Sequence, residues 1–113
     1  GDHRSAVWSP RVDISETEDS HVISMDLPGL SKDDVEITLE NNVLKVSGER
    51  EMSREEKEGD YSRIERSYGR FFRSFNLGDG VDPEEIEATH ENGVLTIRLP
   101  KTEQQKTKKI EIT

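Results

Sequence analysis

"VEITLENNVLKV", Val35 to Val46, alternates apolar and polar residues, pauses at Asn41-Asn42, and alternates again. A period of two puts Val35, Ile37 and Leu39 on one face of an extended strand. Asn tolerates the positive φ that a two-residue hairpin turn requires, so the segment reads as two antiparallel strands joined tightly. Fifty-one residues later "IEATHENGVLTI", Ile86 to Ile97, has the same form. Six of twelve positions match: Glu36/Glu87, Thr38/Thr89, Glu40/Glu91, Asn41/Asn92, Val43/Val94 and Leu44/Leu95. Shared hairpin rules are enough to produce such matches, and duplication is not required. The difference between the copies is more informative. Ala88 and His90 stand where the first copy has Ile37 and Leu39. If the two strands lie near each other at the open side of a sandwich, the missing volume makes a slot. The alternative is that Ala88 fits a crowded core position, and periodicity does not separate the two.

Outward from these hairpins the same alternation recurs. "RVDIS" (Arg11 to Ser15) places Val12 and Ile14 on one face behind Pro10, a residue tolerated on an edge strand. "VISMDL" aligns Ile23, Met25 and Leu27 before a Pro28-Gly29 turn. "RFFRSFNL" and "VLTIRL" complete a set of about seven short strands, which predicts an all-β sandwich. Arg73 shares strand parity with Phe71, Phe75 and Leu77, so it either snorkels to water or meets a partner.

Composition bounds the function. The chain has 113 residues, 29% hydrophobic and 36% charged, with a net charge of −9. One modest core is feasible at this length, and the acidic balance argues against a nucleic-acid partner. There is no cysteine, hence no disulfide or thiolate metal site. No apolar run has the length of a membrane span, and no signal-like start is present. A cytoplasmic protein is expected. The first residue is Gly, with no Met in the opening stretch, which suggests a processed chain or a piece of a longer one.

Two segments break the strand pattern. "EMSREEKEGDYSRIERSY" (51–68) is highly charged. It reads either as a solvated loop with a turn of helix in "REEKE", or, from the weak alternation in "YSRIER", as a further strand that pairs with an outside edge. "KTEQQKTKK" (101–109) has no apolar residue and reads as a solvated tether. It ends in "KKIEIT", where Ile110 and Ile112 point the same way in an extended chain, with Glu111 opposite. A polar tail thus ends in a two-pronged apolar hook.

Taken together the residues resemble a known family. "ATHENGVLTIRLPK" (Ala88 to Lys101) is similar to the signature of small heat-shock proteins, the α-crystallin-domain family. "WSPRVDISET", "MDLPGLSKDDVEITLENNVLKVSGER", "YGRFFRSFNL" and "VDPEEIEA" are similar, in order and spacing, to its bacterial and plant-type branch. The resemblance runs from about Trp8 to Thr113. It implies an immunoglobulin-like sandwich over 8–100 with a strand-bearing insertion at 51–68, a remnant N-terminal arm at 1–7 and a flexible C-terminal extension at 101–113. Members usually carry a longer apolar N-terminal arm. The implied activity is that of an ATP-independent holdase, assembling from homodimers into higher oligomers and binding unfolded client proteins. Ile110 and Ile112 resemble the family's Ile-x-Ile anchor. The resemblance implies that this anchor enters a groove, shared with clients, between the strands of Val35, Ile37 and Leu39 and of Ile86, Ala88 and His90. It further implies that Tyr61, Ser62, Arg63, Ile64, Glu65 and Arg66 form a dimer-swap strand pairing with the partner's edge near Val12 and Ile14, and that Arg73 takes part in subunit contacts.

Other classes have less support. His3, His21 and His90 are too scattered for a metal site, and Asp79 to Asp82 lacks calcium-loop spacing and reads as a turn. No catalytic grouping or phosphate-cradling loop stands out, so no catalytic residue, metal or cofactor is expected. A related CS-domain-like co-chaperone module is the nearest alternative, but the insertion and the hook speak for the oligomerising family. A carbohydrate-binding sandwich would want more aromatic rings than one Trp and two Tyr.

Overall fold

A computed structural model describes the backbone of residues 3–7, 9–106 and 108–113, and side chains except those of 3–7, 52–56, 63–68 and 104. Trp8, where the resemblance begins, lies outside the described residues. Eight strands occur among the described residues: β1 (His3–Val7), β2 (Val12–Glu16), β3 (Ser20–Asp26), β4 (Val35–Glu40), β5 (Val43–Glu58), β6 (Tyr61–Asn76), β7 (Glu87–Glu91) and β8 (Val94–Pro100). They form two four-stranded sheets, ordered β1-β6-β5-β4 and β2-β3-β8-β7. The all-β sandwich expected from the alternation is therefore observed.

The core is built from the inward set of each strand. Ile23, Met25 and Leu27 of the first long apolar stretch, Leu44 and Val46, Phe71, and Leu95, Ile97 and Leu99 are all buried between the sheets. The two hairpins turn as their residues dictate. Asn41 (φ 52°) and Asn42 (φ 63°) close β4 onto β5, and Asn92 (φ 52°) with Gly93 (φ 76°) closes β7 onto β8. Every central residue of both turns sits at positive φ, where Asn and Gly pay least.

The charged segment 51–68 is neither loop nor helix. It forms the outer half of a long hairpin in which β5 and β6 pair without interruption from Val43↔Asn76 to Glu58↔Tyr61. The physical reason is that "REEKE" continues a strand already in register, and each added residue gains ladder hydrogen bonds without a new nucleus. This arm helps make the molecule 82 Å long but only 24 by 20 Å across.

Two pieces of order fall where none was expected. Residues 3–7 of the presumed arm remnant form β1, which runs parallel to β6 from His3↔Arg66 to Val7↔Arg70. The polar tail begins bound rather than free. Lys101 bridges to Val81, its backbone N–H donates to the Asp19 carbonyl, and Thr102 N–H donates to the Gly80 carbonyl. A short 3-10 turn (Glu103–Gln105) follows, and the described residues beyond it, 106 and 108–113, are in no strand or helix.

Candidate functional site

The slot suggested by Ala88 and His90 requires β4 and β7 to be neighbours at one open side. Both are edge strands, one in each sheet. At the far side a cleft of about 390 Å³ is lined by Ile14 of β2, His21 and Ile23 of β3, and Phe75 of β6. That cleft joins the β2–β3 end of one sheet to the β6 end of the other, so the sheet orders put β4 and β7 each at the opposite edge of its own sheet.

On β4 the alternation is clean: Val35, Ile37 and Leu39 are half-buried and pack against the core, while Glu36, Thr38 and Glu40 are exposed. On β7 it is weaker. Ile86, just before the strand, is half-buried and joins the core margin, whereas Ala88 is exposed. The crowded-core alternative for Ala88 is thus excluded: its small side chain leaves the edge open. His90 is half-buried, and its Nε2 atom is buried with no hydrogen-bond partner.

The hook is undocked. Ile110 and Ile112 are 83% and 94% exposed, among the most exposed large apolar side chains described. The segment Tyr61–Arg66 lies in the outer half of β6, and its backbone pairs with the chain's own β5, Ser62 with Lys57 and Arg66 with Ser53. Tyr61 is exposed; the side chains of residues 63–66 are outside the described set. The strand expected to receive it in a dimer, β2, is an edge strand that among the described residues pairs with β3 alone, with Val12 half-buried and Ile14 63% exposed. Arg73 points inward as its parity requires, half-buried, with its guanidinium 5.9 Å from the Phe75 ring centroid.

Sequence reasoning missed Lys101. Its side chain is 3% exposed, its Nζ lies 2.5 Å from Glu16 Oε1, and it donates to the Thr17 carbonyl at 2.8 Å. The hydrogen bond from Lys101 and then its charge hold the Glu16 carboxyl below the usual carboxylate range. Lys106 reaches Asp19 at 3.8 Å and Glu103 at 2.8 Å. The base of the tail is therefore stapled to the β2–β3 turn. No signal in the sequence marks this, because Lys101 stands in an otherwise polar run. Among the described residues no group of three or more His, Cys, Asp or Glu is arranged to hold a metal ion, and no helix is long and apolar enough to cross a membrane.

Two stacked sheets with open β4 and β7 edges, a long hairpin arm and an Ile-x-Ile tail define an α-crystallin-type domain. The profile of the Hsp20/alpha crystallin family matches residues 13–113, and the chain belongs to that family. It is 52% identical over 106 residues to the 22.0 kDa heat shock protein of Arabidopsis thaliana, covering 92% of this chain and 54% of that relative. Small heat shock protein C4 of Rickettsia felis is 39% identical over 111 residues, 98% of this chain and 68% of its own length. Among solved structures, heat shock protein 16.0 from Schizosaccharomyces pombe aligns with a TM-score of 0.72 at 38% identity, covering 94% of this chain and 99% of that one. A small heat-shock protein from Xylella fastidiosa aligns with a TM-score of 0.68 at 36% identity, covering 96% and 99%. The chain thus spans about half the length of the Arabidopsis relative.

Proposed function

We propose that this chain is an ATP-independent holdase chaperone of the cytoplasm, one that binds partly unfolded proteins and keeps them soluble. Membership in the small heat-shock family supports a chaperone role. The observation that carries the mechanism is the exposed Ile110/Ile112 pair on a tail whose base is fixed to the domain. In this reading subunits dimerise as the Tyr61–Arg66 segment pairs with the partner's β2 edge near Val12 and Ile14, with Arg73 in subunit contacts. Dimers are then linked when the tail of one subunit enters the Ile37/Leu39/Ala88/His90 edge of another. Clients use the same groove when the tail leaves it.

The magnitudes suit a reversible link. Burying two Ile side chains contributes roughly 3–6 kcal/mol, while ordering about five tail residues costs on the order of 5–10 kcal/mol. A few strand-addition hydrogen bonds at about 0.5–1.5 kcal/mol each narrow the gap. One hook is marginal, and several in one assembly hold because each raises the effective concentration of the next.

The test is to heat a labile enzyme without ATP, with and without the chain, and follow light scattering. Suppressed aggregation at near-stoichiometric chain is expected. Aggregation unchanged at excess chain refutes the holdase reading.

A further inference from the structure

The chain does not leave the domain where β8 ends. The Pro100 carbonyl accepts from the Asp82 N–H at 3.1 Å, the Lys101 N–H donates to the Asp19 carbonyl at 2.8 Å, and the Thr102 N–H donates to the Gly80 carbonyl at 3.0 Å. A hydrogen bond from the Gln105 N–H to the Thr102 carbonyl at 2.9 Å then closes the 3-10 turn. Gln105 lies against Gly80, where an added Cβ would come 2.5 Å from its Cγ. Residues 101–105 are therefore a strap laid over two loops, the β2–β3 turn and the segment that leads from β6 to Pro83.

Lys101 fastens the strap to something rigid. Its buried ammonium donates to the Glu16 carboxylate and to the Thr17 carbonyl. Thr17 in turn closes the β2–β3 turn: its N–H donates to the Ser20 carbonyl at 2.7 Å, and its Oγ1 accepts from the Ser20 N–H at 3.0 Å. Glu16 is the last residue of β2, the edge on which the partner subunit is proposed to dock. Lys106 adds contacts to Glu103 and Asp19, but those carboxylates are exposed, and such pairs are screened and weak. The pivot is Lys101. Because Glu16 is 62% exposed, it stays solvated if the ammonium is removed, so no buried charge is left without a partner.

Fastening changes what the hook can reach. An extended chain spans at most about 3.5 Å per residue, so Ile110 could lie about 35 Å from Pro100 on a free tail and only about 17 Å from Gln105 on a strapped one. Effective concentration falls roughly as the −3/2 power of tether length once the tether can span, so freeing the strap dilutes each hook about threefold. The hook also leaves from the turn that ends β2, which fixes its direction relative to the partner's edge as well as to its own domain. A fixed direction is what lets repeated links close into one symmetric assembly.

We propose that Lys101 is a positioning residue for assembly: by tying residues 101–105 to the end of β2 it sets the exit point and the reach of the hook, and so restricts the assemblies that hooks can build. This rests on the reading of the tail as the link between dimers and adds what aims it. It does not depend on which surface of the next subunit receives the hook.

The test mixes unlabelled and isotope-labelled full chain and follows assembly mass and subunit exchange by native mass spectrometry, with amide exchange measured on the same proteins. In Lys101→Met the amides of Thr102 and Gln105 are expected to lose protection while those of β3 and β8 keep theirs. Its masses should spread over more sizes than the parent's, and its subunits should exchange about threefold faster. Lys106→Met should behave as the parent. A chain with Lys101 intact and about five Gly or Ser residues inserted after Lys106 should match the exchange rate of Lys101→Met, because it lengthens the tether equally without touching the strap. That chain also keeps the proposal testable if Lys101→Met proves unstable. Parent-like exchange in either long-tether chain, or undiminished amide protection in Lys101→Met, overturns the proposal and leaves the hook as the link. Unchanged exchange in Ile110→Ala with Ile112→Ala removes the hook as the link, and this proposal with it.

Discussion

A Cβ on Gly48 would lie 2.3 Å from Cε1 of Phe71 and 3.0 Å from the carbonyl oxygen of Asp34. The ring needs the space because Phe71 is buried directly across the β5–β6 pair from Gly48. Gly48→Ala is therefore expected to destabilise the domain by about 1–3 kcal/mol, seen as a lower denaturant midpoint at unchanged slope. A midpoint within error of the parent would show that Phe71 repacks freely. A second prediction concerns Glu16. Its carboxyl is held below its ordinary range by Lys101, so its contribution to stability is present above the unfolded-state value and is lost as pH falls through the lower, folded-state one. Glu16→Gln should flatten the acid limb of the stability–pH curve and leave the slope near neutrality unchanged; parallel curves for the two proteins would refute the pairing. Neither site is legible in the sequence. Gly48 is contacted by a residue 23 positions away and Lys101 by one 85 positions away, and only folding creates those contacts.

Elements were far more readable than contacts. Both hairpins, their Asn-containing turns and the inward set of β3 follow from alternation and turn chemistry, because those preferences act within a few residues. The arm was ambiguous for the same reason. Its residues favour no state strongly, and what decides is registration with β5 and β6 already paired below it. Gly59, at φ +62° with open space around it, makes the two-residue turn at the tip. Gly59→Val should cost about 1–2 kcal/mol locally through the left-handed backbone it must adopt. Amide exchange near the tip should accelerate while the amides of β3 and β8 keep their protection. Equal acceleration throughout would mean that arm and sandwich unfold as one unit.

For the whole molecule, the assembly role proposed for the tail can be tested apart from folding. Ile110 and Ile112 are exposed in the single chain and contribute nothing to its core. Ile110→Ala with Ile112→Ala should leave the thermal midpoint of the isolated subunit unchanged and reduce the mass found by light scattering toward that of a dimer. An unchanged mass would sink the tail as the link between dimers. The sequence by itself determined the sandwich, its hairpins and the presence of a hook, since each depends on local periodicity or on turn residues. Only the tertiary structure decided that Ala88 opens the edge instead of filling the core, that the insertion is an arm, and that Lys101 staples the tail's base. These are facts about which distant residues become neighbours, and strand order, which no local preference encodes, settles them.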